Sequence, residues 1–122
     1  MLNLSSFRIV VVEDNDTLSS ILEDFFADRG AKAAHFDNAD DALVTILQEG
    51  KPDLLITDQL LPGQLKGTDL VRLLPGRWPD LPTVLTTGYG YEIGRDLPAQ
   101  VVYLQKPWLL DALERAIADA FR

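Results

Sequence analysis

The chain has 122 residues, of which 47% are apolar, and this length fits a single domain that can bury a sizeable core. Because it contains no cysteine and only one histidine, His35, the sequence excludes disulfides, a thiol nucleophile, Cys-ligated zinc and a paired-histidine metal site. The net charge of −8 argues against binding to nucleic acid, and we expect a cytoplasmic domain without a membrane contact because no apolar run reaches the ~18 residues of a membrane span.

The first half of the chain predicts two strands, each followed by a helix. A β-branched run at residues 7–12 predicts a strand covered on both faces, and residues 15–30 predict an amphipathic helix. A weaker strand at 31–36 precedes a second helix at 38–50. The residues expected to face the core are Leu18, Ile21, Leu22, Phe25 and Phe26 in the first helix, and Ala39, Ala42, Leu43, Ile46 and Leu47 in the second.

Three further strands are predicted in the second half, at residues 53–58, 81–87 and 101–104. Between the first two of them, Thr68 is expected to cap a short helix that Pro75-Gly76 kinks or ends. A last helix follows the fifth strand. Its inward residues are expected to be Leu109, Leu110, Leu113, Ala116, Ile117, Ala120 and Phe121.

This alternation of strands and helices predicts the fold class. Parallel neighbours need right-handed crossovers, so the pattern implies an α/β fold with helices on both faces of a parallel sheet. A doubly wound five-stranded sheet with the flavodoxin-like order 2-1-3-4-5 fits the length. Glycines and a proline between the last two strands predict a short or irregular fourth helix, and we expect residues 1–122 to form one domain.

Five polar residues follow the carboxyl ends of four predicted strands. Glu13 and Asp14 follow the first, Asp58 and Thr87 end the third and fourth, and Lys106 follows the fifth. Each alone has an ordinary explanation, such as a helix cap, a turn residue or an exposed lysine. Ligands of open parallel sheets bind at this edge, where the winding reverses, so the joint pattern favours a functional site.

The charges at this corner indicate its chemistry. Two carboxylates about 4 Å apart repel by roughly 4 kcal/mol at an effective dielectric near 20. Three carboxylates at one corner therefore need protons or a divalent cation to reduce their mutual repulsion. Oxygen ligands suit Mg²⁺ or Mn²⁺, which leave coordination positions open for a phosphate. A carboxylate beside such a metal can attack phosphorus, while the metal and a lysine neutralise the phosphoryl oxygens.

Four short motifs, in order and near the family's spacing, resemble the receiver domain of two-component response regulators across essentially the whole chain. They are Glu13-Asp14 after a hydrophobic strand, Leu-Leu-Ile-Thr-Asp58 with Pro62-Gly63 behind it, Thr87-Gly88, and Tyr103-Leu-Gln-Lys106-Pro107. Three residues separate Gly63 from Gly67 where two are more usual, a variant similar to receivers attached to hybrid histidine kinases.

The resemblance implies a phosphorelay signalling role centred on Asp58. In this family such an aspartate accepts a phosphoryl group from a histidine kinase or a histidine phosphotransfer protein, and a downstream protein partner, not identified by the sequence, reads the change. The expected Mg²⁺ ligands are Asp14 and Asp58 directly, Glu13 through water and the backbone carbonyl of Leu60, with Mn²⁺ able to substitute.

The resemblance also implies roles for three other residues. Lys106 would pair with the phosphoryl group, Thr87 would donate a hydrogen bond to it, and Tyr103 would swing inward as Thr87 moves. The Lys106–Pro107 peptide bond is expected to be cis.

Two alternatives stay open from the sequence. One is a Mg²⁺-dependent phosphohydrolase with Asp58 as its nucleophile, although Gln59 and Leu60 supply no second acid just after it. The other is a pseudo-receiver that binds partners without phosphorylation. The signalling interpretation is favoured over both alternatives because the acidic residues, Thr87 and Lys106 are all present. In this interpretation the protein is a switch that catalyses only its own phosphorylation and dephosphorylation, rather than an enzyme acting on other substrates.

Overall fold

The computed structural model describes residues 3–88 and 101–122 of the chain. The strands in these ranges are β1 (Arg8–Val12), β2 (Lys32–Phe36), β3 (Leu54–Asp58), β4 (Thr83–Thr87) and β5 (Val102–Gln105). The helices are α1 (Asp16–Asp28), α2 (Ala39–Glu49), α3 (Gly67–Arg77) and α4 (Leu110–Ala120). All strand pairs are parallel and the order is β2-β1-β3-β4-β5, which confirms the predicted topology.

The sheet separates two large apolar cores, and β1 contributes to both. A smaller cluster comprises Val71, Leu85 and Val101. Ile9 and Val11 pack on the side covered by α1 and α4, whereas Val10 and Val12 pack on the side covered by α2 and α3. Successive side chains of a strand point to opposite faces, so an unbroken apolar run serves both layers. The predicted doubly covered strand is therefore confirmed.

The starts of the helices follow capping chemistry in two cases and differ from prediction in a third. The side chains of Asn15 and Asn38 accept hydrogen bonds from backbone N–H groups in the first turns of α1 and α2. In α3, however, the N-cap is Lys66, whose N–H donates to the Asp69 carboxylate at 2.7 Å. The prediction of Thr68 as the cap is wrong because this backbone–carboxylate bond starts the helix earlier.

Pro75 and Gly76 lie in the last turn of α3, which ends at Arg77, one residue after the predicted Pro75-Gly76 position. The predicted buried faces of the helices need correction. A helix on a sheet buries a narrower stripe than the full apolar set, so several predicted inward residues at the stripe's edges are exposed. These exposed residues are Ile21, Leu47 and Leu110, together with Leu109 and Phe121, which are the residues that flank α4.

The sheet order fixes the place where a site can form. The chain leaves β1 toward β2 on one side, while β3 lies on the other side of β1, so the carboxyl ends of β1 and β3 flank the point where the winding reverses. The predicted short or irregular fourth helix falls within residues 89–100, outside the described ranges. None of the helices in residues 3–88 and 101–122 has the length and apolar character that crossing a membrane requires.

Candidate functional site

Three carboxylates from two neighbouring strands meet at the carboxyl edge of the sheet. Glu13 and Asp14 follow β1, and Asp58 is the last residue of β3, which pairs with β1 so that Val12 is the partner of Thr57. One carboxylate oxygen from each of the three acids lies within 4.8 Å of the other two. We call Glu13, Asp14 and Asp58 the acidic cluster.

Lys106, which directly follows the edge strand β5, brings a positive charge to the acidic cluster. Its Nζ lies 2.7 Å from Oδ2 of Asp58 and 3.1 Å from Oε1 of Glu13. Its backbone N–H donates to the carbonyl of Thr87 at 2.8 Å, which fixes the end of β5 beside the end of β4. Three carboxylates and one ammonium leave the site with excess negative charge.

Burial divides the site into a closed part and an open part. The side chains of Glu13 and Asp58 are only 3% and 10% exposed, whereas Asp14 is exposed. Water and cations can therefore approach the acidic cluster from the Asp14 side. The oxygen-only donors and the excess negative charge fit a hard divalent cation such as Mg²⁺.

The pKa shifts follow from this burial and pairing. Burial raises the pKa of Glu13 above its ordinary value, and a hydrogen bond from the backbone N–H of Asn15 offsets part of the shift. Burial alone would lower the pKa of Lys106, but its hydrogen bonds to Asp58 and Glu13 outweigh this effect and raise the pKa. Lys106 is therefore a permanent cation at neutral pH.

Burial of Glu13 predicts a pH dependence for the metal-free protein. Because the folded state holds its pKa above 4.5, the stability gained by protonating Glu13 is lost as pH rises through that raised pKa. The unfolding free energy of the wild type, relative to Glu13→Gln, should fall as pH rises from 4.5 toward neutrality. Denaturant unfolding in EDTA at several pH values measures this difference, and a rise with pH would contradict the expectation.

Of the other predicted site residues, Thr87 and Leu60 lie at the carboxyl edge of the sheet, whereas Tyr103 lies within β5 beside Leu85. Thr87 is buried at the end of β4, and Leu60 lies in the loop after β3 with its side chain 58% exposed. Tyr103 lies on the edge strand β5 and its side chain is 42% exposed. The Lys106–Pro107 peptide bond is cis, as the resemblance implied. Among the described residues, the ion pairs of the site join Lys106 to Glu13 and Asp58.

Sequence reasoning missed the residues that hold the backbone of Asp58. The hydroxyl of Thr57 donates to the Asp58 carbonyl at 3.0 Å, and a Cβ built on Gly67 would overlap with that carbonyl oxygen. Within the described ranges, neither amide atom of the buried Gln59 side chain has a hydrogen-bond partner. A glycine at the start of a helix was the available signal for such a close backbone approach.

The family model for the response regulator receiver domain matches residues 9–118. The response regulator protein FleR of Pseudomonas aeruginosa is 32% identical over 115 residues, which cover 91% of this chain and 24% of FleR. The DNA-binding transcriptional regulator NtrC of Salmonella typhimurium is 30% identical over 120 residues, with 88% of this chain and 24% of NtrC covered. The chain thus spans about a quarter of the length of these curated relatives.

The architecture is also found among solved structures. A response regulator receiver domain protein from Clostridium thermocellum matches with a TM-score of 0.78, and the match covers 94% of each chain. The two sequences are 24% identical, so this likeness concerns the fold. It agrees with the observed strand order.

Proposed function

Because the chain belongs to the response regulator receiver domain family, we propose that Asp58 accepts a phosphoryl group from a histidine kinase or a histidine phosphotransfer protein. The observation that carries the proposal is the acidic cluster paired with Lys106, in which Nζ lies 2.7 Å from Asp58. A receiver domain is a signalling domain, and this one would catalyse only its own phosphorylation and dephosphorylation.

Asp58 is the proposed nucleophile. Its carboxylate oxygen would form a bond to phosphorus while the bond from phosphorus to the imidazole nitrogen of phosphohistidine breaks, and that nitrogen would take up a proton from solvent. Parallel pairing with β4 and the hydrogen bond from Thr57 hold the backbone of Asp58. The attacking carboxylate is therefore presented from a rigid strand end rather than from a loop.

Lys106 and Thr87 are proposed to bind the transferred group. Phosphorylation adds up to about two negative charges at neutral pH. The Lys106 ammonium already lies beside Asp58, and its raised pKa keeps it protonated there. The hydroxyl of Thr87, from the neighbouring end of β4, would donate a hydrogen bond to a phosphoryl oxygen.

We propose Asp14 and Asp58 as direct Mg²⁺ ligands, Glu13 as a ligand through water and the Leu60 carbonyl as the remaining protein ligand. The proximity of the three carboxylates and the oxygen-only donor set support this assignment. Mg²⁺, or Mn²⁺ in its place, supplies a Lewis acid that offsets charge on the phosphoryl oxygens when bound. Without it the acids would face an incoming phosphate with excess negative charge.

The output is proposed to run through Thr87 and Tyr103. Tyr103 lies on β5, and Lys106, directly after β5, donates its backbone N–H to the carbonyl of Thr87. The side chain of Tyr103 is exposed, so it can turn from this outward position toward the protein. If Thr87 moves toward the phosphoryl group, Tyr103 would turn inward and the surface around β5 would change. We propose that residues 1–122 act as one domain in the cytoplasm and that a downstream protein reads this surface.

Incubation with acetyl phosphate and Mg²⁺ tests the proposed function. We expect stoichiometric, acid-stable and base-labile phosphorylation of the wild type, seen by intact mass, and complete loss of this label in Asp58→Asn. Asp53→Asn is the matched control, because Asp53 directly precedes β3 at its opposite end and should leave labelling unchanged. Labelling that persists in Asp58→Asn would contradict the proposal, and multiple turnover of free phosphomonoesters would indicate the phosphohydrolase instead.

A further inference from the structure

The loop at residues 59–66, which follows the proposed phosphoryl acceptor, is held by hydrogen bonds at both of its ends. Gln59 donates its N–H to the carbonyl of Thr86 at 2.9 Å, and its own carbonyl accepts from the N–H of Gly67 at 2.9 Å. The first residue of the loop is therefore fixed to β4 on one side and to the start of α3 on the other.

The next residues of the loop are held in a similar way around Leu60. The side chain of Leu61 is buried, and its carbonyl accepts from Nζ of Lys66 at 2.8 Å. Leu60 lies between two anchored neighbours and points its side chain into solvent. Its backbone carbonyl is the group proposed above as a metal ligand, so the loop conformation decides where that oxygen lies.

One side chain from outside the loop holds its distal part. Oδ1 of Asp40, in the first turn of α2, accepts the N–H of Leu65 at 2.9 Å. The same carboxylate lies on the side of Gly63 where a side chain would begin, since a Cβ built there would be 3.5 Å from Oδ1, and φ of Gly63 is +94°. Asp40 thus bonds to the loop at Leu65 and lies beside it at Gly63, on the two sides of Gln64.

We propose that Asp40 is a positioning residue that holds the 59–66 loop in the conformation that presents the Leu60 carbonyl to Mg²⁺. The inference rests on the proposed function, because it requires that this carbonyl bind the metal. Without the Asp40 carboxylate, the Leu65 N–H loses its acceptor, and the link between the distal part of the loop and α2 is lost. Removal of a partner that orients a metal ligand typically weakens metal binding by about 10- to 100-fold.

Calorimetric Mg²⁺ titration of three variants separates positioning from charge. Asp40→Ala should weaken Mg²⁺ binding by about 10-fold, the lower end of what loss of an orienting partner costs. Asp40→Asn keeps an oxygen that can accept from Leu65 and should stay within about 3-fold of the wild type, as expected if one hydrogen bond is retained. Asp41→Ala removes a charge from the same helical turn, from a carboxylate that accepts from Asn38 instead, and should change little.

Hydrogen exchange of the metal-free protein provides a readout that needs no metal. The Leu65 amide should exchange faster in Asp40→Ala than in the wild type and in Asp40→Asn. If Asp40→Ala binds Mg²⁺ like Asp41→Ala, or if Asp40→Asn is weakened as much as Asp40→Ala, the positioning role is overturned while the proposed function stands. A wild type that binds no Mg²⁺ would overturn both.

Discussion

The Gly67→Ala variant is expected to lose about 3 kcal/mol or more of folding stability, the upper range for inserting an atom into a packed site. The added Cβ would overlap with the carbonyl oxygen of Asp58 and lie 2.7 Å from its carbonyl carbon and 3.0 Å from Oγ1 of Thr57. Both carbonyl atoms belong to the backbone of a central strand and cannot rotate away. Relief requires that α3 or the end of β3 shift, so acetyl phosphate labelling of Asp58 should also slow.

The matched control is Gly76→Ala, near the other end of the same helix. No atom lies within 4 Å of a Cβ built on Gly76, so this variant should gain about 0.4–1 kcal/mol by restricting the unfolded chain. Denaturant unfolding of both variants in EDTA measures the difference. Equal stability of the two variants would show that the approach of α3 to Asp58 is not as close as the structure indicates.

Much of the fold is readable from the sequence because it depends on local patterns. The unbroken run in β1 and the helical spacing in α1 predicted both elements, and the alternation predicted the parallel sheet. The width of each buried stripe was not predictable, because it depends on how each helix lies on the sheet. Ile21 and Leu109 therefore satisfied the apolar period and are nevertheless exposed.

The site was predictable to the level of strand ends but not to that of contacts. The carboxyl ends of parallel strands share one edge, so placing Asp58 near Glu13 needs only the strand order. The role of Gly67 and the anchoring of the loop by Asp40 depend on how α3 and α2 approach that edge. Such contacts arise between distant segments, so the glycine at the start of α3 signals a close approach but does not say which segment it meets.

The Lys106→Met variant is expected to lose about 3 kcal/mol of stability in the absence of metal, as when one partner of a buried ion pair is removed. In the wild type the ammonium lies between Glu13 and Asp58, whose side chains are largely buried. Methionine fills similar space without the charge and leaves two carboxylates facing each other. Thermal unfolding in EDTA measures the loss.

Mg²⁺ should restore more stability to Lys106→Met than to the wild type, because loss of the ammonium beside Glu13 and Asp58 raises the affinity of the acidic cluster for a cation. A ligand that binds only the folded state stabilises it by an amount that grows with the logarithm of its affinity. Phosphorylation of Asp58 should nevertheless stay slow in this variant, because the cation that pairs with the phosphoryl oxygens is gone. Lys51→Met is the control: its Nζ lies 2.9 Å from Asp80 on the exposed surface, where an ion pair contributes little. Equal losses in the two variants would show that the position of Lys106, between two buried acids, adds nothing to the stability of the fold.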